Sequence, residues 1–236
     1  MTQEQSALLR AEDVCKIYRT GAGEVPALRD ANLNVADGEF VSVMGPSGSG
    51  KTTLLNCLSG LDDIDAGRVM LDGESLHEMS DAARTRNRAA SMGFVFQQFN
   101  LIPVLSALEN VEIPLLLAGT RASEARRRAT ETLERVGLGD RIEHRPNELS
   151  GGEQQRVTIA RAVAGRPRVV WADEPTGALD SESAHEVMEL MQELHGDGLT
   201  LILVTHDPVV GARAQRTIRM RDGRIVGDGA NSDQDA

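Results

Sequence analysis

The segment Gly45-Pro46-Ser47-Gly48-Ser49-Gly50-Lys51-Thr52-Thr53 has the residue types and spacing that phosphate binding requires. Its glycines allow successive backbone N–H groups to turn toward one anion, and a helix that follows adds its positive N-terminal end. In such a loop the Lys51 ammonium reaches the β- and γ-phosphates of a nucleotide, and the Thr52 hydroxyl binds Mg²⁺. We therefore predict a nucleotide site formed by residues 45–53, with Thr53 at the α-phosphate.

Two adjacent carboxylates, Asp173 and Glu174, follow the apolar residues 169–172. A carboxylate at a strand end beside a phosphate loop can hold the Mg²⁺ shell, a role that we assign to Asp173. Glu174 alternates in direction and can polarise the attacking water as a general base. Because Asp-Glu-Pro also favours turns, a solvated strand end is the alternative. The phosphate loop upstream favours the catalytic interpretation.

The elements around the phosphate loop are those that its chemistry needs. The apolar residues 40–44 lead directly into it, and residues 51–58 have a helical pattern that Gly60 ends. The alternative is a glycine-rich turn before a helix that binds no ligand. The order of strand, loop and helix favours the nucleotide site.

Strand signals dominate the residues before the loop and the end of the chain. Residues 8–18 are strand-like, and residues 31–44 contain two strand runs on either side of Asp37-Gly38. Asp-Gly between strand runs predicts a hairpin. A second hairpin is predicted around Asp222-Gly223, between residues 217–220 and 224–226.

The middle of the chain changes to helical spacing. Apolar residues within 122–136 recur at helical intervals that end at Gly137, and residues 105–117 are partly helical, with an interruption expected at Pro114. We predict a helical lobe at about 91–161, inserted into a sheet domain.

Alternating strands and helices follow this lobe. Residues 169–172 and 199–205 have the composition of buried strands. An amphipathic helix between them starts near Asp180 or Ser181 and ends at Gly196. We predict one domain over residues 1–236, with the sheet core and a β-subdomain at about 8–90 and 162–229, and disorder at residues 1–6 and 230–236.

Length, charge and cysteine content bound the function further. The chain has 236 residues, and its formal net charge of −11 disfavours a nucleic acid backbone or anionic lipid as the main partner. No apolar run approaches the roughly 20 residues of a membrane helix, and no secretory signal is recognisable. Cys15 and Cys57 lack metal-ligand spacing and are expected to be free thiols. These features predict a cytoplasmic protein.

The second glycine motif is Leu149-Ser150-Gly151-Gly152-Glu153-Gln154-Gln155. Ser150 suits a helix N-cap, and Glu153 three residues later completes a capping box. A capped helix start without further function would have the same residues. Downstream of a phosphate loop, however, the motif resembles the signature of ATP-binding-cassette (ABC) ATPases.

The resemblance extends from about Leu8 to Gly229 and is strongest to one subfamily. Residues 87–119 resemble the ATPases that serve macrolide exporters, lipoprotein-release complexes and antimicrobial-peptide exporters. The family implies an α/β fold: a P-loop NTPase domain with a RecA-like core, an antiparallel β-subdomain and an inserted α-helical subdomain.

The resemblance also implies roles for residues outside the phosphate loop. Ser150, Gly151 and Gly152 would bind the γ-phosphate of ATP held by the other subunit. Gln97 would sense Mg²⁺ and the γ-phosphate; Gln98 beside it is a second possible register, and the preceding Phe94-Val95-Phe96 favours Gln97.

Three further residues match family positions at strand ends and loops. His206 resembles the switch histidine that orients the water or Glu174. Asp180 belongs to the loop that crosses the dimer interface, in which Gly177 replaces the Ser or Asn of many members. Tyr18 matches the aromatic residue that stacks on adenine; the alternative is a half-buried strand aromatic.

The resemblance implies an ATPase that uses ATP and Mg²⁺ and works as a head-to-tail homodimer. Its partner would be a separate integral membrane permease, with the ATPase peripheral on the inner face of the cell membrane. The apolar residues 99–117 would bind the permease; the alternative is that they pack inside the helical lobe. The expected function is to power export, or the release of a lipoprotein or peptide from the membrane. The alternatives are an ATPase that switches a membrane regulator without transport, and a soluble ABC ATPase that acts on DNA or ribosomes.

Overall fold

A computed structural model describes residues 7–21 and 23–231. The described residues up to Thr85 and from Gly198 onward form one compact unit, and Arg86–Asp197 form another. The strands of the described residues are β1 (Ala7–Thr20), β2 (Gly23–Ala36), β3 (Phe40–Met44), β4 (Ala66–Leu71), β5 (Glu74–Ser75), β6 (Met92–Phe96), β7 (Val169–Asp173), β8 (Thr200–Thr205), β9 (Arg216–Arg221) and β10 (Arg224–Ala230).

The described residues also form seven α-helices. They are α1 (Lys51–Leu58), α2 (Asp81–Ser91), α3 (Ala107–Leu117), α4 (Ala122–Arg135), α5 (Gly151–Val163), α6 (Ser181–Gly196) and α7 (Pro208–Gly211). Short 3₁₀ turns lie at Leu76–Glu78, Gly139–Arg141 and Pro146–Glu148. No helix within residues 7–21 and 23–231 combines the length and the apolar character needed to cross a membrane.

The first unit contains an antiparallel sheet in the order β2-β1-β4-β5. The long strand β2 lies at one edge and pairs antiparallel with β1, with Tyr18 opposite Val25 and Arg10 opposite Asn34. The second half of β2 alternates between buried and exposed residues, because one face of the strand packs on the core. The predicted β-subdomain therefore has the expected antiparallel pairing.

A second set of strands in the same unit has the order β10-β9-β3-β8. Its central strand β3 runs parallel to both neighbours, with Met44 opposite Thr205 on β8 and Arg219 on β9. All six residues of β8 are buried, as are four of the five in β3. Continuous burial of this kind is typical of parallel strands.

The hairpin predicted at Asp37-Gly38 is wrong. The two residues do form a turn, but β2 pairs antiparallel with β1 whereas β3 pairs parallel with β8 and β9. The chain leaves one sheet at this turn and enters another, since the apolar β3 is more completely buried among parallel strands than at a half-exposed hairpin. The other predicted hairpin is confirmed, because Arg221 pairs with Arg224 across Asp222-Gly223.

The second unit combines a parallel strand pair, β6 and β7, with α3, α4, α5 and α6. Helix α5 packs closely on β6, where a Cβ on Gly93 would lie 2.3 Å from the Ala162 carbonyl oxygen. Helix α4 buries Ala125, Ala129 and Leu133, which confirms the spacing read from the sequence. Helix α6 is capped by Asp180 and ends at Gly196, as predicted.

Three expectations about local structure are corrected. Pro114 does not interrupt α3, because a capping box of Ser106 and Glu109 starts the helix and the buried Val111 and Leu115 anchor it on both sides of the proline. The region 91–161 begins with a strand, β6, whose residues pair with β7.

The end of the chain is ordered further than expected. Residues 1–6 and 232–236 lie outside the described residues, but Ala230 belongs to β10 and Asn231 is also ordered. Its Nδ2 donates to the Ala214 carbonyl oxygen at 2.8 Å, so the disorder expected at residues 230 and 231 is wrong. The proposed division into subdomains stays a prediction.

Candidate nucleotide-binding and catalytic site

The phosphate loop, residues 45–53, connects β3 to the first turn of α1. Packing requires two of its glycines. A Cβ on Gly45 would lie 2.3 Å from the Met220 carbonyl oxygen, and a Cβ on Gly50 would lie 2.5 Å from the Ala27 carbonyl oxygen. Gly50 also has φ +98°, a conformation that side chains strongly disfavour. Neighbouring backbone therefore holds the loop in one path.

The polar groups of this loop suit an anion. The N-cap of α1 is Gly50, which supplies no side-chain cap, and the first turn of the helix contains no acidic residue. The Ser49 hydroxyl is buried and has no hydrogen-bond partner among residues 7–21 and 23–231. Lys51 Nζ donates to the carbonyl oxygens of Gly45 at 2.8 Å and Pro46 at 3.1 Å. A phosphate would bind beside this ammonium and give Ser49 an acceptor, so the loop fits a nucleotide.

His206 follows β8 as the phosphate loop follows β3. Met44 and Thr205 are paired in parallel register, so Gly45 and His206 are the next residues at the carboxyl ends of neighbouring strands. His206 is exposed, and the Thr205 hydroxyl before it accepts from the Asp207 N–H at 3.1 Å. Ligands bind at this edge of open parallel sheets.

Tyr18 lies on β1, and its hydroxyl donates at 2.8 Å to Oδ2 of Asp62, which follows the end of α1. The residue is 37% exposed although its hydroxyl is anchored. An exposed aromatic ring attached to the phosphate-loop helix is available for stacking by a base. In the first unit, the structure thus brings together Tyr18, residues 45–53 and His206.

Gln97 and Glu174 form a corresponding pair in the second unit. Phe96 pairs with Asp173 in parallel register, so Gln97 and Glu174 follow at the carboxyl ends of β6 and β7. Glu174 has φ +48°, and its carbonyl oxygen accepts from the Gly177 N–H at 3.0 Å. The chain therefore turns sharply at the predicted catalytic residue. Left-handed backbone at a non-glycine residue costs roughly 1–3 kcal/mol and concentrates at functional positions.

Gly177 stands where many family members have Ser or Asn. The nearby Gln97 side chain gives a reason for glycine at this position. A Cβ on Gly177 would lie 2.9 Å from Gln97 Nε2 and 3.1 Å from Gln97 Cδ. The Gln97 carboxamide thus packs on bare backbone. A serine or asparagine at position 177 would displace the amide.

The motif at 149–155 starts α5 as a capped helix. The Ser150 hydroxyl accepts from the Glu153 N–H at 3.2 Å, and Glu153 accepts from the Ser150 N–H at 2.8 Å. The hydrogen bond from the Ser150 backbone, followed by the Ser150 hydroxyl and Arg141, lowers the pKa of the Glu153 carboxyl. Ser150 remains exposed.

The start of α5 packs against the start of α6. A Cβ on Gly152 would lie 3.0 Å from the Ser183 hydroxyl, so glycine permits this approach. Asp180 caps α6, accepting from the Ser183 N–H at 2.9 Å and the Ser183 hydroxyl at 3.0 Å. The backbone hydrogen bond from Ser183 is the main cause that lowers the pKa of Asp180. Ser150, Gly151, Gly152 and Asp180 therefore belong to one packed region.

Two positioning residues were missed by the sequence analysis. Gln155 is fully buried, and its Nε2 donates to the Pro175 carbonyl oxygen at 2.6 Å and to that of Phe96 at 3.4 Å. It therefore joins the residue before Gln97 to the residue after Glu174. Its place in the 149–155 motif was the available signal.

Arg161 holds the segment after Gln97. Its guanidinium donates to the carbonyl oxygens of Asn100 at 2.6 Å and Phe99 at 3.0 Å, and burial lowers its pKa. Asn100 has φ +50°, so the arginine stabilises a sharp bend. No pattern in the sequence marks this residue.

Comparison with known proteins agrees with these observations. The family described as ABC transporter matches residues 28–177. An uncharacterized ABC transporter ATP-binding protein of Thermotoga maritima is 51% identical over 91% of this chain and 92% of its own length. The uncharacterized ABC transporter ATP-binding protein YvrO of Bacillus subtilis is 48% identical over 94% of this chain and 96% of its own length.

A macrolide export ATP-binding/permease protein, MacB of Brucella melitensis, is 49% identical over 96% of this chain. The chain spans only 35% of the length of that relative. A dimeric, post-hydrolysis structure of the ATP-binding cassette MJ0796 bound to ADP and Pi superimposes with a TM-score of 0.87. The two sequences are 43% identical, and the match covers 96% of this chain and 100% of the MJ0796 chain.

These similarities confirm the predicted family, the α/β ABC ATPase fold and the assignment to an ATPase class. The roles of the individual site residues stay predictions. The matched region contains the phosphate loop, Gln97, the 149–155 motif and Glu174 in the order read from the sequence. The chain belongs to the ABC transporter family, as one of its ATP-binding cassettes.

Proposed function

We propose that this cassette binds ATP with Mg²⁺, hydrolyses it in a dimer and powers the work of a membrane permease. The observation that carries the proposal is the phosphate loop, in which glycine packing and a helix N-terminus without a side-chain cap suit a bound phosphate. The buried Ser49 hydroxyl, which has no hydrogen-bond partner in the described part of the chain, suits it as well. Lys51 lies against the loop carbonyls and adds the positive charge.

The remaining predicted ligands supply oxygen atoms suited to Mg²⁺. Thr52 provides a hydroxyl, Asp173 a carboxylate and Gln97 an amide oxygen, and such hard donors match the ion. When bound, Mg²⁺ neutralises negative charge that develops on the β- and γ-phosphate oxygens. Thr53 would contact the α-phosphate, and Tyr18 the adenine ring.

Glu174 and His206 would position the attacking water. Each follows the last paired residue of a parallel strand, where the sheet backbone fixes its starting point. The Glu174 carboxylate would orient the water and accept its proton, while His206 would hydrogen-bond the γ-phosphate. Lys51 would balance the charge on the phosphoryl group during its in-line transfer.

We infer a head-to-tail dimer in which Ser150, Gly151 and Gly152 meet ATP bound by the other subunit. The similar cassette MJ0796 is dimeric and holds ADP and Pi, which supports a dimer. The exposed Ser150 at the start of α5 offers a positive helix end to a phosphate. Asp180 keeps the adjacent helix start in place.

The permease site would be the groove beside Gln97. A cavity of about 580 Å³ is lined by Gln97, Phe99, Leu101, Pro103 and Pro146, among others. Ile102 and Val104 nearby in sequence are 41% and 72% exposed. These apolar surfaces suit a helix from a membrane protein. Binding there would place the cassette at the inner face of the membrane, for export or release.

Glu174→Gln tests the catalytic assignment. It should leave ATP binding intact, lower kcat by about 10³-fold and accumulate an ATP-bound dimer in size-exclusion chromatography. Lys51→Ala is the contrast, because it should weaken ATP binding itself. A Glu174→Gln variant that hydrolyses ATP at the normal rate would contradict the role of Glu174.

Affinity purification from gently solubilised native membranes tests the partner. A multi-span protein that co-purifies and is lost on replacing apolar residues of the groove, such as Leu101→Asp, would support the permease site. Recovery of a dimer alone, or of ribosomes or DNA, would contradict it. A co-purifying membrane protein that carries no cargo would instead favour a switched regulator.

A further inference from the structure

A cluster of charged residues surrounds Tyr18 in the first unit. The phenol hydroxyl donates to Asp62 Oδ2 at 2.8 Å, while Lys16 Nζ donates to Asp62 Oδ1 at 2.7 Å. One carboxylate therefore binds both side chains, through separate oxygens. Lys16 Nζ also lies 5.1 Å from the centre of the Tyr18 ring, within the range of a cation–π contact.

Lys16 and Tyr18 are two residues apart on β1, so they share one face of the strand. The loop that carries Asp62 is tied to the same strand, because the Asp65 N–H donates to the Cys15 carbonyl oxygen and Asp65 Oδ2 accepts from the Ile17 N–H. Asp62 itself follows α1, and its N–H donates to the Asn56 carbonyl oxygen at 3.1 Å. The cluster thus links β1 to the helix that begins at the phosphate loop.

From this geometry we propose that Asp62 and Lys16 are positioning residues that hold the Tyr18 ring at one orientation for the nucleotide base. The inference rests on the proposed ATP site and goes beyond it, since neither residue touches the phosphate loop motif. Lys16 occupies one face of the ring, and the base would stack on the opposite face. Tyr18 stays 37% exposed because its hydroxyl is anchored and Lys16 covers only one face of the ring.

Two further observations agree with a ring that is held in place. The Lys16 side chain is only 11% exposed, and Nζ makes a second hydrogen bond, to the Asp63 carbonyl oxygen at 2.7 Å. Burial, and then the hydrogen bond to Asp62, raise the pKa of the Tyr18 phenol, so the hydroxyl stays a donor. Burial of Cys57 beside the cluster raises the pKa of its thiol to about 12, so it carries no charge there at neutral pH.

The experiment uses Asp62→Ala and Asp62→Asn, with Asp63→Asn as the matched control. The Asp63 side chain pairs with Arg84, and only its backbone contacts Lys16. We expect Asp62→Ala to raise the KM for ATP by about tenfold with kcat within about twofold of wild type. Asp62→Asn should show a smaller rise, because an amide oxygen can still accept from the phenol, and Asp63→Asn should match wild type.

Fluorine NMR reports the ring directly. Tyr18 is the only tyrosine of the chain, so incorporation of 3-fluorotyrosine gives one resonance. In the nucleotide-free protein, Asp62→Ala should move this resonance toward its position in the denatured chain, and ATP should shift the wild-type resonance. Circular dichroism and thermal unfolding show whether each variant is folded; Asp62→Asn serves if Asp62→Ala is not.

The two proposals fail in different ways. Wild-type protein that binds no ATP would overturn both. If ATP binds and Lys51→Ala weakens binding, but the Asp62 variants keep the wild-type KM and an unmoved resonance, the inference about Asp62 and Lys16 is overturned alone. A loss of kcat with unchanged KM would also overturn it, because base positioning acts on binding.

Discussion

The starts of α1 and α5 are the two helix N-termini assigned to phosphate, and they are built differently. Helix α1 begins after Gly50, which has φ +98° and supplies no side-chain cap, and no acidic residue lies in its first turn. Helix α5 begins after Ser150, whose hydroxyl accepts from the Glu153 N–H, and Glu153 returns the hydrogen bond. The N-terminus of α1 therefore has no side-chain cap, whereas that of α5 is capped by its own residues.

This difference matters because helix starts leave their first N–H groups without intrahelical partners. At α1, where no side chain caps the helix, a ligand can supply an acceptor and negative charge, so ligand binding and loop stability are coupled. At α5 the capping box already stabilises the helix without a ligand. We infer that α1 provides most of the affinity of one subunit for ATP, whereas α5 contributes only when the dimer closes.

The largest effect is expected from adding a methyl group at the uncapped N-terminus of α1, where it displaces the loop. In Gly50→Ala the Cβ would lie 2.5 Å from the Ala27 carbonyl oxygen, so the loop must move. ATP affinity measured by calorimetry should fall by at least about tenfold, with about 1–3 kcal/mol of stability lost. Gly73→Ala is the control, because Gly73 has φ +81° but open space around it. The comparison holds if ATP affinity falls in Gly50→Ala and stays unchanged in Gly73→Ala.

A moderate effect is expected from opening the capped N-terminus. Ser150→Ala should cost about 1 kcal/mol of stability, leave ATP binding by the isolated subunit unchanged and lower ATPase activity in the dimer. The control is Ser106→Ala, since Ser106 and Glu109 form a second capping box with the same 3.2 Å and 2.8 Å distances. Ser106→Ala should lose as much stability as Ser150→Ala but keep normal ATPase activity. Such a result would show that Ser150 has a role in hydrolysis beyond capping its helix. Equal ATPase in both variants would contradict the role of Ser150.

The smallest effect is expected from Glu153→Gln and depends on pH. Hydrogen bonds from Ser150 hold the folded pKa of Glu153 below its ordinary 4.5. A depressed pKa adds stability above the unfolded pKa, and this contribution is lost as pH falls through the folded value. In denaturant unfolding at pH 7, the free energy of unfolding of the wild type should exceed that of Glu153→Gln by about 0.5 kcal/mol. In acid the two free energies should be equal. A difference that grows in acid would contradict this assignment.

Much of the fold and of the site could be read from local spacing. The phosphate loop, the helix starts at Ser150 and Asp180 and the strand end at Asp173 follow from short motifs, because backbone conformation and capping depend on neighbours within a few residues. The helices α1, α4 and α6 are confirmed for the same reason. The family and the ABC ATPase fold are confirmed by the comparisons.

The errors and omissions have a common cause. The Asp37-Gly38 turn looked like a hairpin because a turn does not reveal which strand its neighbours pair with. Pro114 looked like a helix break because buried contacts elsewhere in α3 are invisible in its local sequence. Gln155 and Arg161 were missed because their partners lie 59 and 62 residues away in the chain, at Phe96 and Phe99.

The sequence by itself determined that this chain carries a phosphate loop, a cassette signature and an acidic strand end in the order of an ABC ATPase. Each depends on backbone requirements within a few residues. Only the tertiary structure decided that Gly177 accommodates Gln97 and that Asp62 joins Lys16 to Tyr18. Those contacts join residues 44 to 80 positions apart, and no local preference specifies them. Packing of distant segments alone brings them together.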